Sequence, residues 1–117
     1  TGLEVTAFSP LGSISYEELG GAVESESILM NGTVQSIAKD LGITPAQLIL
    51  GWGLNRGTSI VVKSTYETRM KENLAASRII LEQSVMDKIS DLNINKRYND
   101  PGIFCEDAFN TFFPIYE

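Results

Sequence analysis

The sequence contains no histidine and a single cysteine, Cys105. Without histidine there is no imidazole for general acid–base work, no Ser–His or Cys–His nucleophile pair and no His ligand for a metal. One cysteine excludes an intrachain disulfide and gives no sign of an oxidising compartment. A thiol with no imidazole to activate it is more often inert than nucleophilic. Positive charge is also scarce: nine Lys and Arg stand against fifteen Asp and Glu, for a net charge of −6 and a pI near 4.6. A general nucleic-acid surface or an anionic membrane requires the opposite balance, although a small basic pocket for one phosphate is compatible with it. No apolar run is long enough to cross a bilayer, and no secretory signal pattern opens the sequence. Neither G-x-G-x-x-G nor a Walker loop occurs, so the two commonest glycine-rich phosphate cradles are absent. A cytoplasmic location is expected.

What is present fits one soluble globular domain: 117 residues, 43% hydrophobic and 21% charged. The chain opens at Thr1 and enters a β-rich segment almost at once, as expected of a segment of a longer protein. Leu3 to Phe8 alternates apolar and polar residues and predicts a strand, stopped by Ser9-Pro10-Leu11-Gly12. Ser13 to Gly32 has no clean period and reads as a long surface excursion, with Glu17, Glu18, Glu24 and Glu26 as a solvated acidic loop. Thr33 to Leu41 predicts a helix with Val34, Ile37, Ala38 and Leu41 on one face, closed by Gly42. Thr44-Pro45-Ala46-Gln47 is a helix start with a capping box, and that helix is expected to run to about Asn55 and end at Gly57. Its Leu48, Ile49 and Trp52 are expected in the core. Ser59 to Val62 is nearly all apolar, the pattern of a strand buried on both faces. Helices are predicted over Tyr66 to Ala76 and from Ser84, the latter with Asp87 as a capping partner and Val85, Ile89 and Leu92 on one face. From Asn93 onward the chain reads as irregular, aromatic and acidic. Strand, helices, strand, helix is a βαβ unit with a following helix, so the two strands should be parallel.

Ligands of parallel α/β folds gather at the C-terminal ends of the strands. Here those ends carry Phe8-Ser9-Pro10-Leu11 and Lys63-Ser64-Thr65. At the second, a lysine, two hydroxyls and a helix N-terminus converge, which favours an anion. Arg69, one turn into the helix, could fold back over it and pair with a phosphate in bidentate fashion. Capping with solvated charges is the plainer account of the same residues. Lys63 and Tyr66 have the residue types of a Tyr/Lys catalytic pair, but their order and spacing are wrong for the short-chain dehydrogenases.

Taken together, several segments resemble the aldo-keto reductases. Ala7-Phe8-Ser9-Pro10-Leu11-Gly12 is similar to that family's A-Y-S-P-L-G at the seventh barrel strand. Thr44 to Trp52 is similar to the helix that follows. Val61-Val62-Lys63-Ser64, then Arg69 and Glu72-Asn73, is similar to I-P-K-S…R…E-N after the eighth strand. Asp91 to Asn95 with Arg97 to Pro101 resembles the tail of xylose-reductase-like members. The likeness covers almost the whole chain in order and spacing. Two positions depart from it: Phe8 stands where a Tyr is usual and keeps a ring, and Val62 stands where a Pro is usual and loses a fixed φ.

The resemblance implies the C-terminal part of an eight-stranded (β/α)8 TIM barrel, about two parallel strands with their helices. It implies NADPH-dependent reduction of aldehydes and ketones. By position, Phe8 would stack on the nicotinamide, and Ser9 and Leu11 would line the pyrophosphate path. Lys63, Ser64 and Thr65 would hold the adenosine 2′-phosphate. Arg69 would pair with that phosphate and stack near the adenine, while Glu72 and Asn73 would bond the adenine edge. The family's catalytic Asp, Tyr, Lys and His come from earlier in the barrel, so no catalytic residue is assigned here. Residues 93–117 would correspond to the tail that shapes the substrate pocket, with Phe104, Phe109, Phe112 and Phe113 as an apolar wall. The expected partners are the nicotinamide cofactor, a small carbonyl substrate in the parent enzyme and the remaining N-terminal part of the barrel. By itself the chain is expected to be inactive and poorly stable. A non-catalytic nucleotide-binding or regulatory module, and an inactive truncated relic, are the alternatives.

Overall fold

The computed structural model describes residues 2–12, 26–96, 102, 106 and 108–110. Glu17, Glu18, Glu24, Cys105 and the aromatics Phe104, Phe112, Phe113 and Tyr116 lie outside them. The chain is α/β, with a two-stranded parallel sheet of β1 (Thr6–Phe8) and β2 (Ser59–Val61). The register pairs Thr6 with Ser59, Ala7 with Ile60 and Phe8 with Val61. Between the strands run α1 (Gly32–Leu41) and α2 (Pro45–Asn55), and after them α3 (Glu67–Ala75) and α4 (Gln83–Ser90). Among the described residues no helix is long and apolar enough to cross a membrane.

The helix boundaries follow from local chemistry. The Asn31 side chain accepts from the Thr33 and Val34 amides and starts α1. Gly42, at φ 67°, ends it in the left-handed conformation that a side chain would disfavour. The capping box of α2 is complete: Gln47 N–H donates to Thr44 Oγ1 at 3.1 Å and Thr44 N–H to Gln47 Oε1 at 3.0 Å. Val34, Ala38, Leu48, Ile49, Leu81, Met86 and Ile89 form the buried core, with Trp52, Leu92 and Leu11 at its margin. The core therefore lies between helices. α2 settles closely on the sheet at Gly53, where a Cβ would come within 2.8 Å of Ile60 Cδ1 and push aside the end of that side chain.

Several expectations need correction. The first strand begins at Thr6, and Leu3 and Val5 are exposed. The second is not buried on both faces: Ser59 and Val61 are exposed and only Ile60 is half-buried. The apolar run signals a strand that could be covered twice, but α2 covers it on one side only. The last helix starts at Gln83, capped by Glu82 without a side-chain bond, rather than at Ser84. Asp87 instead accepts from the Gln83 side chain at 2.8 Å. Glu26 is not simply solvated, since both its carboxylate oxygens lie 2.6 Å from Lys96 Nζ. In the tail, Gly102, Glu106, Ala108 and Phe109 are helical rather than irregular.

Candidate functional site

Both strands run the same way, so their C-terminal ends open on one side of the sheet. The helix between two such strands must begin on that side too, because it travels back antiparallel to them. A cleft of about 790 Å³ forms there. One wall is the turn after β1, Phe8 to Gly12; another is the segment Val61 to Tyr66 after β2. Arg69, Glu72 and Asn73 line it from α3, and Thr44, Pro45 and Ala46 from the start of α2. All nine residues singled out in the sequence, Phe8, Ser9, Leu11, Lys63, Ser64, Thr65, Arg69, Glu72 and Asn73, line this single cleft. Thr44 to Ala46 and Leu29 also line it and were not among them. Thr44-Pro45 carries a strong helix-start signal, and the direction of a crossover helix is what could have assigned it to the site.

Local chemistry shapes each wall. Ser9 has φ 47°, uncommon for a residue with a side chain, and its carbonyl accepts from Gly12 N–H at 3.0 Å. The turn so closed brings Leu11 to line the cleft while it also packs against the helical core. Phe8 is 65% exposed, and its ring borders the cleft. On the opposite wall, Ser64 Oγ accepts from Tyr66 N–H at 3.1 Å and donates to the Tyr66 carbonyl at 3.4 Å. This bracket fixes the residue that caps α3. The Arg69 guanidinium carbon sits 5.0 Å from the centre of the Tyr66 ring. Neither Lys63 nor Arg69 is ion-paired with a described residue, whereas the neighbouring Glu67 pairs with Lys71 at 2.7 Å. Gln47, already in the capping box, donates from Nε2 to the Glu72 carbonyl at 3.2 Å and so ties α3 to the start of α2.

The electrostatic sense of the cleft is clear although the chain is acidic overall. Two cations and the N-termini of α2 and α3 converge on it, and helix N-termini favour anions. Ser64 and Thr65 add hydroxyls. Among the described residues, Glu72 is the sole carboxylate of its lining. Trp52 takes no part: its ring N–H donates to the Met86 carbonyl and to Ser90 Oγ, both at 3.3 Å, at the edge of the core.

Comparison with known proteins identifies the family and the fold. The sequence is 38% identical over 102 residues to a probable NAD(P)H-dependent D-xylose reductase of Aspergillus flavus, covering 86% of this chain and 32% of that protein. It is 33% identical over 114 residues to the NAD(P)H-dependent D-xylose reductase of Kluyveromyces lactis, covering 95% of this chain and 35% of that protein. The chain thus spans about a third of the length of the curated relatives it matches. Its fold superposes on the crystal structure of an aldo/keto reductase from Brucella melitensis with a TM-score of 0.62 and 30% identity, over 78% of this chain and 30% of that one. The model of one family, Aldo/keto reductase, matches residues 1–94, and the two parallel strands with their helices are part of such a (β/α) barrel. On sequence and fold alike, the chain belongs to the aldo/keto reductase family.

Proposed function

We propose that the chain supplies the NADP grip of an enzyme that reduces aldehydes or ketones to alcohols. The observation that carries this is the convergence of Lys63, Ser64, Thr65 and Arg69 at the N-terminus of α3, on the same cleft as the exposed ring of Phe8. The donor set fits a phosphate-bearing nicotinamide dinucleotide. A phosphate needs cations, hydroxyls and backbone N–H groups, and a flat ring needs an aromatic face. Glu72 and Asn73, farther along α3, offer an acceptor and an amide for the adenine edge. Ser9 and Leu11 line the path between the two ends. The names of the relatives, NAD(P)H-dependent D-xylose reductases, support the same reading.

When bound, NADPH would supply the hydride for carbonyl reduction. This chain's own residues bind and orient; none is assigned to the chemical step, and a proton from a histidine cannot come from a chain without one. The remainder of a barrel is the partner this reading requires. The exposed apolar residues Phe8 and Val61, and a groove of about 350 Å³ between β2 and α3 lined by Ile60, Val62, Met70 and Leu74, support it. Residues 93–117 would then form the substrate wall; of the aromatics proposed for it, Phe109 lies among the described residues and is exposed. A cytoplasmic location goes with this reading.

Calorimetric titration with NADP+ and NAD+ tests the grip. NADP+ should bind more tightly. Arg69→Ala should weaken NADP+ by about ten-fold or more, the range for a charge-assisted phosphate contact, and NAD+ far less. Equal losses for the two nucleotides would overturn the assignment; no heat with either would mean that the site needs the rest of the barrel.

A further inference from the structure

We propose that Tyr66 is a positioning residue that sets the preference for NADP+ over NAD+ by holding the Arg69 guanidinium on its ring. This rests on the reading of the cleft as an NADP site. Tyr66 is the N-cap of α3 but makes no side-chain capping bond, so the phenol is not needed to start the helix. Its backbone is extended and bracketed by the Ser64 hydroxyl, which fixes where the ring projects. Residues three apart at a helix start share a face, and here the guanidinium carbon of Arg69 lies 5.0 Å from the ring centre.

What holds an arginine determines what it has left to offer. A guanidinium paired with a carboxylate has its in-plane N–H donors engaged and must break those bonds before taking a phosphate. A guanidinium held over an aromatic ring is bound through its face, and its five N–H donors remain available. Carboxylates are close in sequence at Glu67 and Glu72, yet Arg69 is ion-paired with neither, and Glu67 is engaged by Lys71. Tyr66 therefore limits the conformational freedom of a long side chain without competing for its donors, which lowers the ordering cost of binding. NAD+ lacks the 2′-phosphate and would gain less from an ordered Arg69, which could meet only its adenine.

The test is calorimetric titration of NADP+ and NAD+ into the wild-type chain, Tyr66→Phe, Tyr66→Leu, Tyr66→Ala, Arg69→Ala and the double variant Tyr66→Ala/Arg69→Ala. Tyr66→Ala and Tyr66→Leu should each weaken NADP+ about three-fold, the size of an exposed cation–π contact, and NAD+ by less. Tyr66→Phe keeps the ring and should retain the preference. In the Arg69→Ala background, removing Tyr66 should have no further effect. A purely structural role for Tyr66 would weaken both nucleotides alike and would persist without Arg69; either result overturns the inference, as does unaltered NADP+ affinity in Tyr66→Ala and Tyr66→Leu. If the wild type discriminates and these variants do so equally well, the inference alone fails. If the wild type does not discriminate, the NADP reading fails and the inference falls with it.

Discussion

The helical core and the sheet differ in how fully they are covered. On the helical side, Val34 of α1 and Leu48 of α2 are fully buried, and Ala38, Met86 and Ile89 close around them. On the sheet side, the residues paired across the strands, Phe8 and Val61, are 65% and 62% exposed. The helical side completes its packing with residues of this chain, from Val34 to Ile89. The sheet side has apolar residues of the right kind and no surface laid over them among the described residues. Stability is therefore concentrated in the helices, and recognition in the open strand ends.

The sharpest way to test that contrast is to truncate one residue on each side. Leu48→Ala removes a fully buried side chain and should cost about 2–5 kcal/mol. That is a large share of what a domain of this size has. Val61→Ala should cost less than about 0.5 kcal/mol, because most of its side chain is already in water. Urea denaturation followed by far-UV circular dichroism checks both. Comparable losses would mean that the sheet is a second core in solution.

A smaller effect is expected at Asn55, which links the helical side to the segment leading into α4. Its Nδ2 donates to the Gly51 carbonyl at 2.7 Å and to the Ile79 carbonyl at 2.8 Å, and its Oδ1 accepts from Leu81 N–H at 3.1 Å. Asn55→Ala leaves the Leu81 amide and two carbonyls without these partners and should cost about 1–3 kcal/mol. Asn55→Asp keeps the acceptor and loses the donor. An intermediate denaturation midpoint for Asp would show that both halves of the amide contribute.

The same contrast decides what was legible in the sequence. The capping box at Thr44 and Gln47, the stop at Gly42 and the buried face of Val34 and Ala38 are set by neighbours within a turn or two, and the sequence carries all of them. The parallel pairing of the strands was legible from element order, and the meeting of Phe8, Ser9 and Leu11 with Lys63, Ser64, Thr65 and Arg69 from the ends of those strands, whereas Glu72 and Asn73 were legible from the family resemblance alone. Burial of the second strand was not, because an apolar run reports what could be covered and not what covers it. Met86 was missed as a core residue: the face of Val85, Ile89 and Leu92 does pack on the core, and Met86, three positions before Ile89, widens it. The bonds made by Asn55 and by Gln47 to Glu72 join residues more than twenty positions apart, and no local pattern signals them.

Gln47 joins the two sides, and it offers the smallest and most specific effect. Its Oε1 serves the capping box of α2, while its Nε2 donates to the Glu72 carbonyl on the α3 wall of the cleft. Gln47→Glu separates the two roles. A carboxylate still accepts from the Thr44 amide, so the cap survives, but it has no proton to give the Glu72 carbonyl and sets a negative charge against it. The lost bond is worth about 0.5–1.5 kcal/mol, and the loss should be local. Amide hydrogen exchange should quicken along α3, from Met70 to Ala76, and stay unchanged in α2. Gln47→Ala removes both roles, so exchange should quicken in the first turn of α2 as well. If Gln47→Glu leaves α3 protection unaltered, then α3 is held to the core by its own packing, and the geometry of Arg69, Glu72 and Asn73 does not depend on the helical side at all.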